Sequence, residues 1–417
     1  MSNKRFPALA TRDARIFYAG QFLSLVGTWM QNTVLPYVAY RISGQPFYLG
    51  LVGFAASLPT LLFTLFGGVL VEHVDKRKAV IALQAVMMAQ AFILATLTLT
   101  NQLMIWHIIA LAFVLGTANS IEITARQAML IELVGKEALP NAIAMQSTIF
   151  NVARVLGPSL AAPLLLLFQG NGEGWAFFAN GVSYFFVIAG LLVVRTRPVQ
   201  TALNPTESKS PLNEFREGQS YIRHTSLVAI IVGMAAVFGF FGFTPIQQLP
   251  VFARDVLRAV GDTDAIVAAR NGALATAQGI GALVASFTLL AFGNIKRKGL
   301  LLTVGSFVFS VALVGLAWSR VLFTALPMMV IIGWGSVTTL ALMNTLIQLT
   351  VPNALRGRVF STYLWALQGV APFGSLFVGW LTQMLGAPIA VTVCGVACLM
   401  AFAGVNFFTS TVRRFAT

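Results

Sequence analysis

Apolar residues in this chain come in long runs, and the polar residues are compressed into short gaps between them. One helical crossing of a bilayer needs about 20 mostly apolar residues, and runs of that length recur along the whole chain. The first six extend from Ala14 to Tyr40, Leu49 to Val71, Ala79 to Leu99, Leu103 to Thr124, Asn141 to Phe168 and Trp175 to Val194. The next six extend from Leu227 to Val251, Ala265 to Phe292, Leu300 to Trp318, Leu322 to Thr350, Val359 to Leu385 and Pro388 to Thr409. All are predicted to be helices, because an unclosed sheet leaves backbone groups unpaired in hydrocarbon.

The longest gap runs from Arg195 to Ser226. Thr201 to Ser210 is rich in Pro, Asn, Ser and Thr and reads as a flexible linker. Ser210-Pro211 then offers an N-cap followed by Pro at the first helical position. Leu212, Phe215 and Ile222 share a face away from Glu214, Glu217 and Arg223, which predicts a short helix lying at the membrane surface. The expected organisation is an N-terminal six-helix bundle over 1–195, a cytoplasmic linker with a short surface helix over 196–226, and a C-terminal six-helix bundle over 227–417.

The halves echo each other. Lys76-Arg77-Lys78 follows the second span and Lys296-Arg297-Lys298 the eighth. Lys136 to Pro140 before the fifth span resembles Pro352 to Arg356 before the eleventh, and Gly157-Pro158 has a counterpart in Pro372 and Gly374. Duplicated halves are the arrangement in which transporters bind substrate near the midplane. The expected fold class is an all-α membrane protein of twelve transmembrane helices in two pseudo-symmetric bundles.

Composition agrees. Of 417 residues 57% are hydrophobic and 10% charged, whereas soluble domains carry about 25% charged residues. The net charge of +14 does not point to nucleic acid, because the cations are spread over loop ends and not gathered on one face. Lys76 to Lys78, Arg195 with Arg197, Lys296 to Lys298, Arg356 with Arg358, and Arg413-Arg414 fall on loops of one parity. The positive-inside rule places those loops, and both termini, in the cytoplasm, where they would attract anionic lipid headgroups. The first apolar run is too long for a signal-peptide core and reads as a retained span. Cys394 and Cys398 share one helix face as small buried side chains, far from His73, His107 and His224, so neither a disulfide nor a metal site is expected. No phosphate-binding Gly-rich loop and no nucleophile–base set appears, so no cofactor and no enzymatic activity are expected.

Polar groups inside spans carry the candidate chemistry. Arg154 lies about a dozen residues into the fifth span, near mid-depth. Ser147, Asn151 and Arg154 recur at i, i+4 and i+7 on one face. A charge there either faces a substrate cavity or coupling partner, or braces the packing of neighbouring helices. Glu122 sits four residues before Arg126, close enough for an ion pair; it reads as a proton acceptor or as a structural pair at the membrane edge. Gln21, Ser24, Thr28 and Gln31 form a stripe on the first span, Asn344 and Gln348 on the tenth, and Ser361, Trp365 and Gln368 on the eleventh. Such stripes touch substrate or bond between helices. Arg270, near the end of the eighth span, is expected to snorkel.

The stretch Gly68 to Arg77, with Gly68, Glu72, Asp75, Lys76 and Arg77 in order, resembles the loop motif after helix 2 of the major facilitator superfamily. His73 stands where an Arg is usual and Asp75 where a second Gly is usual. Trp29-Met30-Gln31, Leu35-Pro36-Tyr37, Ala125 to Ala128, Asn141 to Ala144, Gly157-Pro158 and Arg356 to Val359 are similar to its bacterial enterobactin-exporter-like, or transmembrane secretion effector, branch. The resemblance implies the major facilitator fold and alternating access in a bacterial inner membrane. It also implies proton-driven efflux of an amphipathic small molecule, such as a siderophore, antibiotic or other metabolite, by a monomer. In that family the loop latches against helix 11, which would set Glu72 by the amides near Arg358 and Val359; the alternative is a basic stop required by topology alone. Gly157-Pro158 is similar to the family's helix-5 antiporter signature. A facilitator or importer for a polar nutrient, and a non-transporting scaffold or receptor, are the rival readings.

Overall fold

A computed structural model describes residues 7–72, 74–168, 170–194, 211–259, 261–291, 298–352 and 355–408, apart from the side chains of 64–72, 136, 211–215 and 406–408. Arg195, Arg197, the linker 201–210, Lys296, Arg297, Arg413 and Arg414 fall outside those residues. The described chain is helical, with no strand. The helices are α1 (Arg12–Ser43), α2 (Pro46–Glu72), α3 (Lys76–Leu99), α4 (Ile105–Gly135), α5 (Glu137–Leu167), α6 (Gly172–Val193) and α7 (Pro211–His224). There follow α8 (Ser226–Val256), α9 (Asp264–Ala291), α10 (Lys298–Ala317), α11 (Leu322–Thr350), α12 (Arg356–Leu385) and α13 (Ala387–Phe408).

Eleven of these helices are long and apolar enough to cross a membrane. The twelfth crossing is α1, whose apolar run is interrupted by Gln21, Ser24, Thr28, Gln31, Asn32 and Thr33. The result is the twelve-helix fold expected.

One helix end departs from expectation. The fourth span was expected to stop at Thr124, yet α4 continues to Gly135. Hydropathy falls at Glu122, Arg126 and Glu132, but Glu and Arg are good helix formers, so the helix outlasts its apolar stretch. It breaks at Gly135, whose φ of 78° and ψ of 167° suit a residue without Cβ. Lys136 to Pro140 therefore belongs to the helix start, and Pro140 sits in the first turn of α5, where the fixed φ of proline is tolerated.

Prolines shape two other helices. In α8, π-type turns at Phe238–Gly242 and Phe252–Val256 flank a 3₁₀ segment at Thr244–Gln248. Pro245 lacks a donor and crowds the carbonyl four residues back, at Phe241 inside the first π turn. Pro372 does the same to Gln368 inside the π turn Trp365–Gly369 of α12.

The chain divides into two compact units. The first comprises Met1–Gly44, Ala55–Thr201 and Arg258–Thr276; the second comprises Gln45–Phe54, Ala202–Leu257 and Ala277–Thr417. In the first unit α1 packs on α6 and on α4–α5, and α3 packs on α6. A Cβ on Gly157 of α5 would lie 2.5 Å from Trp29 Cβ and 2.7 Å from Met30 N, so this crossing admits only glycine without a shift of α1. Arg270, expected to snorkel, is instead buried and paired with Asp262. The loop ahead of α9 brings a carboxylate within reach, and a buried cation is more stable paired than extended toward headgroups.

In the second unit α10 packs on α11 and α13. The expected helix after the linker is present as α7, with Ile222 buried. It packs on the start of α12, where Gln219 Nε2 donates to Thr362 Oγ1 at 3.1 Å and Glu217 pairs with Arg358. Tyr221 donates its hydroxyl to the carbonyl of Thr350 at 3.2 Å, tying α7 to the end of α11 as well.

Candidate functional site

The first unit contains a cavity of about 180 Å³. Three turns of α1 supply Gln21, Ser24, Thr28 and Asn32 to its wall, at the i, i+3, i+4 spacing that keeps side chains on one helix face. Gln84 comes from α3, Asn119, Glu122 and Arg126 from α4, and Tyr184 from α6. Leu25, Leu35, Met87, Ala112 and Leu115 complete an amphipathic lining.

Glu122 is the centre of charge. It is 3% exposed, and its Oε1 accepts from Gln84 Nε2 at 3.0 Å. Arg126 Nε lies 3.1 Å from Oε1 and 3.3 Å from Oε2. The pair is local, as the i,i+4 spacing predicts, and a second helix, α3, reads it through Gln84. Charge-assisted bonds of this kind are about twice as strong as neutral ones. Elsewhere on the wall, Thr28 donates to the carbonyl of Ser24 at 2.9 Å and sits 3.0 Å from the hydroxyl of Tyr184.

Gln31 lies on the same helix but elsewhere. It is fully buried in an amide cluster, donating to Gln90 Oε1 at 3.2 Å and accepting from Asn180 Nδ2 at 2.8 Å. Ser183 extends the cluster by donating to Asn180 Oδ1 at 3.1 Å. Its partners make Gln31 a link among α1, α3 and α6.

Arg154, Asn151 and Ser147 share a face of α5 away from that cavity. Arg154 Cζ lies 5.4 Å from the ring centroid of Trp29, and Trp29 meets Phe150 edge to face at 5.4 Å. Asn151 Nδ2 donates to the carbonyl of Ser147 at 2.9 Å, a bond within its own helix. In the second unit Gln348 Nε2 donates to Asn344 Oδ1, while Ser361 and Gln368 are exposed on α12.

The loop between α2 and α3 is bonded at each described polar residue. Asp75 caps α3 by accepting from Lys78 N at 3.0 Å. Lys76 Nζ pairs with Glu132 of α4 at 2.9 Å. Arg77 donates from Nε to the carbonyl of Leu191 at 2.6 Å and from Nη2 to that of Leu192 at 2.7 Å, so a cation closes the C-terminal end of α6. Gly68 and Glu72 belong to α2, but the Glu72 side chain lies outside the described residues. Arg358 pairs with Glu217 of α7.

The sequence places Gln21, Ser24, Thr28, Glu122 and Arg126 among candidates and the structure brings these five to one cavity. It passed over Gln84, Asn119 and Tyr184. Their signal was present: Gln84 is an amide inside an otherwise apolar run, the same criterion that singled out Gln21.

The family described as transmembrane secretion effector matches residues 5–417. The staphyloferrin A transporter of Staphylococcus aureus is 25% identical over 393 residues, covering 92% of this chain and 93% of that protein. The enterobactin exporter EntS of Escherichia coli O139:H28 is 24% identical over 381 residues, covering 90% of this chain and 86% of that protein. Among solved structures, a D-xylose–proton symporter superposes with a TM-score of 0.72 at 13% identity, over 96% of this chain and 98% of that one. That likeness establishes the fold alone. With twelve membrane-crossing helices and a family match that spans nearly its whole length, the chain belongs to the transmembrane secretion effector family of the major facilitator superfamily of transporters.

Proposed function

We propose that this protein exports a small amphipathic molecule across a bacterial inner membrane by alternating access, as a monomer, with protons moving inward in exchange. The alternation of basic loops supports a cytoplasmic position for both termini and for the Asp75–Lys78 turn. The names of two relatives, a staphyloferrin A transporter and an enterobactin exporter, favour a siderophore or similarly secreted metabolite as cargo. Glu122 is the proton acceptor in this reading. The observation that carries it is the placement of that buried carboxylate on a cavity wall, in contact with Arg126 and Gln84. Protonation would release the guanidinium, and a charge exchange of that kind is a local electrostatic event able to bias a two-state element.

The remaining candidates have supporting roles. Lys76 and Arg77 tie α3 to α4 and α6, and in this reading they act with Gly68, Glu72 and Asp75 as the gating loop. Arg154 holds α5 to α1 through Trp29, next to the Gly157-Pro158 crossing. Within the second unit, Asn344, Gln368 and Arg358 are the candidates for cargo contact and gating.

Everted membrane vesicles test the reading. Radiolabelled siderophore should accumulate inside them when respiration builds a proton gradient, and a protonophore should abolish the accumulation. Glu122→Gln should remove the dependence on the gradient. Accumulation that ignores the protonophore in the unmodified protein would refute proton exchange.

A further inference from the structure

Gln21 and Gln84 are 3% and 2% exposed, and both line the cavity of the first unit. The Oε1 atom of each is buried and has no hydrogen-bond partner among the described residues. For Gln84 the identity of that atom is secure on chemical grounds. Its other terminal atom faces Glu122 Oε1 at 3.0 Å, and an ionised carboxylate accepts but does not donate. The nitrogen must therefore be on the Glu122 side, and the oxygen is left free. Buried polar groups are nearly always bonded, and each exception calls for an explanation.

The surrounding groups narrow what fits. The charge of Glu122 is already met by Arg126, so the pair is close to neutral. An anion entering the cavity would face two amide oxygens and a carboxylate. A cation would be buried without a free counter-charge, which is costly. Only Nε of Arg126 is engaged in hydrogen bonds among the described residues, leaving its other N–H groups as donors at the same wall. A hydroxyl donates and accepts at once, and so matches free acceptors standing beside a guanidinium.

We infer that this cavity binds a neutral, hydroxyl-bearing group of the transported molecule, donating to Gln21 Oε1 and Gln84 Oε1 beside the Glu122–Arg126 pair. The apolar wall of Leu25, Met87 and Leu115 holds the carbon skeleton that carries the hydroxyls. The cavity accommodates a part of an amphipathic cargo, and the rest lies outside it. The inference rests on the export reading only in calling the bound molecule cargo.

Isothermal titration of the full chain in detergent micelles tests it without a gradient. The probes share a phenylbutyl tail: 4-phenylbutane-1,2-diol, its dimethyl ether, 4-phenylbutylamine and 4-phenylbutanoate. The diol should bind at least about tenfold more tightly than the ether, which keeps the shape and the acceptors but cannot donate. Gln21→Met and Gln84→Met should each weaken the diol by about tenfold and leave the ether unchanged. Equal affinity for diol and ether, preference for the amine or the carboxylate, or no saturable diol binding overturns the assignment without any variant. Equal diol binding by both folded variants overturns it as well. Diol preference with gradient-blind vesicles refutes only the export reading, whereas gradient-driven export without diol preference refutes only this inference.

Discussion

The Arg154 guanidinium lies over the indole of Trp29, 5.4 Å from the ring centroid, which joins α5 to α1. Trp29 also meets Phe150, one turn before Arg154 on the same helix, in an edge-to-face contact. A charge in an apolar span is costly unless something compensates it, and here the ring's quadrupole does so in place of a carboxylate. The contact couples the two residues energetically. A double-mutant cycle of Trp29→Leu and Arg154→Met should show a coupling of about 1–2 kcal/mol in equilibrium unfolding in mixed micelles. Strict additivity would mean that the two side chains are neighbours and nothing more.

Close approach of the same helices gives a second expectation. Gly157→Ala would set a methyl 2.5 Å from Trp29 Cβ, 2.7 Å from Met30 N and 2.8 Å from the Val26 carbonyl, two of which are backbone atoms. Overpacking of this kind costs about 1–3 kcal/mol. Gly233→Ala on α8 is the control, since a Cβ there meets nothing within 4 Å. It should be neutral or slightly stabilising, because Ala favours the helix and restricts the unfolded chain. Thermal unfolding of the two variants in detergent separates the cases, the first melting several degrees below the second.

How much of this was legible beforehand follows from which forces hydropathy reports. The twelve crossings were legible because the bilayer demands long apolar runs, and Leu322–Thr350 appears with the ends expected of it. The overshoot of α4 to Gly135 was not, because past Thr124 the helix rests on the propensity and pairing of charged residues. The Glu122–Arg126 pair was readable from spacing within one helix. Gln84 reaching across to Glu122, and Asn180 reaching Gln31, were not, since spacing along one helix says nothing about which faces of three helices meet. Arg270 misled for the same reason. Snorkelling is the rule for a lone cation near a span end, and Asp262 lies in a loop whose course the sequence does not disclose.

Removing half of the Glu122–Arg126 pair should cost more than removing both. Glu122→Ala leaves a buried guanidinium without its partner, a change worth about 3–5 kcal/mol. Glu122→Gln with Arg126→Met replaces the pair by neutral groups of similar size and should recover most of that loss. Chemical unfolding of the single and double variants decides it. Equal losses in the two would show that the cavity's water, and not Arg126, carries the carboxylate.

The loop that precedes α9 supplies a pH-dependent contact whose sign can be worked out. Asp262 Oδ2 accepts from Ala259 N at 2.7 Å and pairs with Arg270 Nη2 at 2.5 Å. The Ala259 amide first, then the Arg270 guanidinium, hold its carboxyl below the usual carboxylate range, outweighing partial desolvation. A group whose folded pKa is depressed stabilises above its unfolded value and loses that contribution as pH falls through the folded one. The loop should therefore be indifferent to pH between 7 and 5, and loosen only below about pH 4, where free aspartate begins to protonate. Hydrogen exchange at the Ala259 amide, corrected for the intrinsic rate, should show constant protection over the upper window and a fall below it. Asp262→Asn removes both the charge and the dependence. If protection already falls between pH 7 and 5, a different group governs the loop.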